Sequence, residues 1–114
     1  MDQRDGGGRK EARRTPRKAV SRTAVVVYGE RNAALNATIL NISSGGGKIK
    51  TAARHDLPEA FFLIDLAEKT VYLCAVMDRA GGAYGVKFVN RHPLSSLPPT
   101  LSFLSTIWMD FAKR

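Results

Sequence analysis

Between Val20 and Phe88 the chain is divided into short stretches with a two-residue hydrophobic period, and the breaks fall on glycine, asparagine or proline. Closely spaced runs of this kind argue for β structure. The first, Val20–Tyr28, contains Val25-Val26-Val27, β-branched residues that suit a pleated, buried surface. Gly29–Asn32 reads as a turn, after which Leu35, Ala37 and Ile39 alternate with Asn36, Thr38 and Leu40. Asn41–Gly47 reads as a polar, glycine-rich turn and Lys48–Thr51 as a short third strand. Pro58 breaks the chain before Phe61–Leu66, Thr70–Met77 follows as a strand, and Gly81-Gly82 marks a tight hairpin turn. Tyr84, Val86 and Phe88 then alternate with Gly85 and Lys87. Six such strands predict an all-β barrel or sandwich.

The C-terminal stretch changes period. Leu101, Leu104, Trp108 and Phe111 recur at three- and four-residue steps, which places them on one face of a helix expected over about residues 98–112. Pro98-Pro99 fits its start, because proline lacks only an N–H that would be unpaired there. Lys113 and Arg114 suit its end, where cations complement the helix dipole. The stripe is expected to pack on the β structure, and Phe103 and Ile107 widen it enough to leave a homodimer contact open beside a monomer.

At 114 residues and 44% hydrophobic, the chain has room for one domain with a modest core. Its net charge is +8, which favours anionic partners. Residues 1–22 hold Arg4, Arg9, Lys10, Arg13, Arg14, Arg17, Lys18 and Arg22 against Asp2, Asp5 and Glu11, so +5 of that +8 lies on an N-terminal arm. Residues 1–12, with Gly6-Gly7-Gly8 at their centre, read as a disordered basic tail, and residues 13–114 as the folded domain. The single cysteine, Cys74, excludes an intrachain disulfide and fits a reducing compartment. No apolar h-region follows the basic N-terminus, and no run approaches the roughly 18–20 apolar residues of a membrane span. The expectation is a cytoplasmic protein without membrane insertion.

Few residues are placed to carry chemistry. No nucleophile–base pair, paired catalytic carboxylates or P-loop is visible, so an enzyme is not expected. His55 and His92 read as loop residues with no Cys or carboxylate at metal-ligand spacing, so neither a metal nor a cofactor is expected. Cys74 lies in an apolar strand and reads as a buried structural thiol; Trp108 reads as core. Two constellations remain. Arg13-Arg14-Thr15-Pro16-Arg17 holds three guanidinium groups in five residues, stiffened by Pro16, although most charge runs are simply solvated. Guanidinium forks donate in pairs and stack on rings, so three of them suit one compact anion. Asn41-Ile42-Ser43-Ser44-Gly45-Gly46 pairs short donor–acceptor side chains with glycines that let backbone N–H groups face a ligand, although an ordinary hairpin turn has the same composition.

In that order, an RxxxR arm before the first strand and an NxSxxG stretch after the second, the sequence resembles the PilZ domain family. The resemblance rests on Arg13, Arg17, Asn41, Ser43 and Gly46 and extends more coarsely over residues 13–111. It implies a six-stranded antiparallel β-barrel with a C-terminal α-helix, whose ligand is cyclic di-GMP and whose output passes to a downstream protein partner. Arg13 and Arg17, helped by Arg14, would hold guanine edges and phosphates; Asn41 and Ser43 would contact the ligand from the barrel, with Gly46 keeping the turn close. Two other readings compete. One is a small basic barrel that binds single-stranded nucleic acid, which needs exposed aromatic platforms. The other is a PilZ-like adaptor that binds protein alone. The family resemblance points away from DNA or RNA.

Overall fold

The computed structural model describes residues 18–51 and 56–112. The expected tail over residues 1–12, the arginines Arg13, Arg14 and Arg17, His55, Lys113 and Arg114 all lie outside the described residues. Six strands form: β1 (Lys18–Tyr28), β2 (Ala33–Ile42), β3 (Gly46–Thr51), β4 (Ala60–Asp65), β5 (Thr70–Ala80) and β6 (Ala83–Pro93). They close into an antiparallel barrel in the order β1-β2-β3-β6-β5-β4. A barrel results, not a sandwich, because β1 pairs with β2 along one edge and with β4 along the other.

The alternation read from the sequence is the division between the inside and the outside of this barrel. Ala24 and Val26, Ala37 and Ile39, Ile49, Phe61 and Leu63, Tyr72 and Cys74, and Tyr84 and Val86 fill the interior, with Leu57 packed against them. Side chains therefore occupy the lumen, as expected for a barrel of few strands. Cys74 is fully buried, and burial pushes its thiol up to about 12, so it carries no reactive thiolate at neutral pH.

Strands β1, β2, β5 and β6 are longer than their hydrophobic runs suggest. Register shifts interrupt pairing between Ala19 and Arg22 in β1, between Ile39 and Asn41 in β2, and twice between β5 and β6. Such bulges bend a strand and let it continue around the barrel end. They also break the simple alternation, which is why polar stretches such as Asp78–Ala80 and Val89–Pro93 belong to strands. His92, expected in a loop, sits in β6 for this reason. The Gly81-Gly82 hairpin has φ of 56° and 85° at its two turn residues, the left-handed pair that a two-residue turn between twisted strands requires.

The C-terminal helix, α1, spans Phe103–Ala112 and begins later than expected. Pro98 and Pro99 open a 3₁₀ turn, Pro99–Leu101, in which Leu101 N–H donates to the Pro98 carbonyl at 2.9 Å. Proline at its first position costs no hydrogen bond, by the same logic applied to an α-helix start. The helix packs within the chain: Leu104, fully buried, joins Val25, Val27, Ile64 and Val71 on the outer face of the barrel, flanked by Leu101, Phe103, Ile107, Trp108 and Phe111. Replacing Leu104 with Ala is expected to lower the unfolding free energy by about 2–5 kcal/mol in a urea titration, as for other buried leucines.

Candidate functional site

The Asn41–Gly46 stretch straddles a strand end. Asn41 and Ile42 close β2, Ser43–Gly45 make the connection, and Gly46 already begins β3; the turn is thus shorter than the sequence suggests. Ser43 organises it. Its N–H donates to the Gly46 carbonyl at 2.8 Å, its Oγ–H donates to the same oxygen at 3.2 Å, and Gly45 N–H donates to Ser43 Oγ at 3.3 Å. From β6, Phe88 N–H donates to the Gly45 carbonyl at 2.9 Å. Gly46 is required by crowding: a Cβ there would collide with the Val86 carbonyl oxygen, whereas a Cβ on Gly45 would stand in open space.

The start of the described chain lies beside this turn. Lys18 is the pairing partner of Ile42, and Ala19 of Asn41. Paired Cα atoms sit about 4.5–5.5 Å apart, so the described chain begins next to Asn41 and Ile42; Arg13, Arg14 and Arg17 lie outside the described residues. Across the other edge of β2, Asn41 pairs with Lys48. Asn41 Oδ1 is buried and has no hydrogen-bond partner among the described residues, a costly state for a polar atom. Of the three barrel residues in the motif, Asn41 and Ser43 lie two residues apart at the strand end beside Lys18 and Ala19, and Gly46 accepts both hydrogen bonds from Ser43.

Arg91, in the polar end of β6, escaped the sequence reading. Its Nη2 donates to the Ser44 carbonyl at 2.6 Å, and its guanidinium lies 5.4 Å from the Tyr72 ring centroid. Tyr72 in turn stacks on Phe88 with centroids 4.0 Å apart. Arg91 therefore ties the turn to the aromatic wall at this barrel mouth. Burial raises the Tyr72 pKa, with Arg91 partly opposing the shift. No sequence signal marks Arg91, since pairing it with Ser44 requires knowing that β6 runs past the β2–β3 turn.

On the same end, Arg22 reaches the carboxylate of the fully buried Asp65, Nε to Oδ2 at 3.5 Å, and donates from Nη1 to Glu68 Oε2 at 3.2 Å. Asp65 Oδ1 accepts from Ala67 N–H at 3.2 Å and Glu68 N–H at 3.3 Å. These bonds shape the β4–β5 turn and occupy Arg22, so it is a structural cation.

No protein-family model matches the chain, and the comparison with curated proteins gave no match. Among the described residues, no helix is long and apolar enough to cross a membrane.

The contrast between the two adjacent glycines is testable. Gly46→Ala is expected to cost about 1–3 kcal/mol in thermal or urea unfolding, because backbone must move to admit the methyl group. Gly45→Ala should be close to neutral in the same assay.

Proposed function

We propose that the chain is a PilZ-type receptor domain that binds cyclic di-GMP between its N-terminal arginines and the Asn41–Gly46 turn. The pairing of Lys18 with Ile42 and Ala19 with Asn41 carries this reading, because the residues directly following the RxxxR arm lie beside the NxSxxG turn. The filled lumen is consistent with it: a dinucleotide would have to sit on the outer surface, on the side of Asn41 and Ser43. A guanine's N7 and O6 accept from one arginine fork, and arginine also neutralises phosphate and stacks on purines. Arg13 and Arg17 take these roles with Arg14 assisting, and Asn41 and Ser43 hold the opposite side.

The single-stranded nucleic acid reading finds less support. It needs aromatic side chains exposed as stacking platforms, and among the described residues, which include all the chain's tyrosines, phenylalanines and its tryptophan, none is exposed. Signalling follows from the unequal halves of the site. The barrel half is held by backbone pairing, while the arm half has to fold back, at about 1–2 kcal/mol per residue of backbone entropy. The closed arm is then a new surface for a partner protein to read, an ordering switch.

Calorimetric titration with cyclic di-GMP should give saturable binding, with GTP as the control ligand that does not compete. Arg13→Ala combined with Arg17→Ala should abolish it, and binding that survives both changes removes the role given to the arm. Hydrogen exchange over residues 9–20 should slow when ligand is added; unchanged exchange there rules out the ordering mechanism.

A further inference from the structure

The arm and the turn account for two sides of the ligand and leave open what the barrel offers its two phosphates. Lys48 pairs with Asn41 across β2 and β3, so their side chains share one face with Cβ atoms about 4.5–5.5 Å apart. Lys87 pairs with Gly46 across β3 and β6, and Gly46 is the residue whose carbonyl accepts both hydrogen bonds from Ser43. Asn41 therefore has Lys48 in its own row of the sheet, and Lys87 stands in the row of Gly46, the residue to which Ser43 is bonded. Lys48 itself pairs with Gly85, which makes Lys48 and Lys87 diagonal neighbours with Cα atoms about 7–8 Å apart.

Both lysines are exposed, and neither is engaged with another described residue. The ion pairs of the described chain use Arg22 and Arg79, and Lys69 lies over the Trp108 ring. The nearest carboxylate along the row is Asp78, whose Oδ1 accepts from Gly85 N–H at 3.0 Å and so has a partner of its own. Two uncommitted ammonium groups in the rows of Asn41 and Gly46 differ from a general basic surface in having fixed places relative to the turn.

We infer that Lys48 and Lys87 are phosphate-binding residues of the barrel, each serving one phosphate of a cyclic dinucleotide seated against Asn41 and Ser43. This inference rests on the binding reading above. Lysine suits the task, since a compact charge on a flexible stem follows a phosphate without dictating base identity. Base recognition then belongs to the arm arginines, and charge neutralisation is shared with the barrel. Lys50 lies on the same strand one step further along, paired with Thr38 and Ala83. It is away from the turn and serves as the matched control.

The test is titration of the full chain with cyclic di-GMP at low and moderate salt, in the native protein and in Lys48→Gln, Lys87→Gln and Lys50→Gln. All three positions are exposed, and circular dichroism should report an unchanged fold. Lys48→Gln and Lys87→Gln are each expected to weaken binding by about threefold to tenfold at low salt and to flatten its salt dependence; Lys50→Gln should match the native protein. Native binding with all three variants alike overturns the lysine assignment and leaves the receptor reading standing. Absence of binding by the native chain overturns the receptor reading itself.

Discussion

Everything in this fold depends on burial of β1 on both of its faces. Ala24 and Val26 point into the barrel, Val25 and Val27 point out beneath α1, and all four are almost completely inaccessible to solvent. One four-residue run thus joins the inner core to the outer one. It also carries the ring closure, since the same residues pair with β2 on one side and β4 on the other. A one-residue slip of β1 would exchange its inner and outer sets and open both cores. The register of Ala24–Val27 is therefore strongly determined, and the bulge between Ala19 and Arg22 then sets Lys18 and Ala19 against Ile42 and Asn41. The geometry at the barrel end depends on that hydrophobic packing and on the bulge together.

What could be read from residues alone was the part governed by local periodicity. The Val25-Val26-Val27 run, the alternation around Val86 and the Gly81-Gly82 turn each translate directly into an element, because one local rule decides each. The helix was legible from its stripe, whereas the width of that stripe left packing on the barrel and a homodimer contact both open, and only the structure shows Leu104 buried against the barrel. The boundaries were not legible, because bulges continue β2, β5 and β6 through polar residues whose side chains leave no apolar pattern. The same cause hid Arg91 and placed His92 wrongly in a loop. Asn41 and Ser43 were visible only as a motif. That Lys48 and Lys87 stand in the rows of Asn41 and Gly46 is a matter of register between strands, which no local pattern encodes.

The barrel end is supported from two directions that do not share residues. Arg91 holds the Ser43–Gly45 connection from β6 by bonding the Ser44 carbonyl, and the Tyr72–Phe88 stack backs it. Arg22 and Asp65 shape the β4–β5 turn on the other side. A buried ion pair of this kind is weak evidence for added stability, because desolvation offsets much of the attraction. Its evident effect is on shape: Asp65 fixes two backbone N–H groups of the turn and keeps Arg22 occupied. Among the described residues at this end, Lys48 and Lys87, in the rows of Asn41 and Gly46, are then left without such a partner.

The proposed division of labour between arm and barrel would have a thermodynamic consequence. On that proposal, guanidinium groups joined to β1 by a few residues act at the turn at an effective concentration on the order of millimolar or more, as for any short tether. Weak individual contacts then suffice, provided the barrel half does not itself need ordering. The turn meets that condition, being pinned by Ser43, Phe88 and Arg91 before any ligand arrives. On the proposed receptor reading, only the arm would contribute an ordering cost, which would lower affinity and supply the difference between free and bound states. A rigid arm would then bind more tightly and report less. The stiffness of the barrel mouth and the looseness expected of the arm would be two parts of one proposed signalling design, with Pro16 limiting how much entropy the arm has to lose.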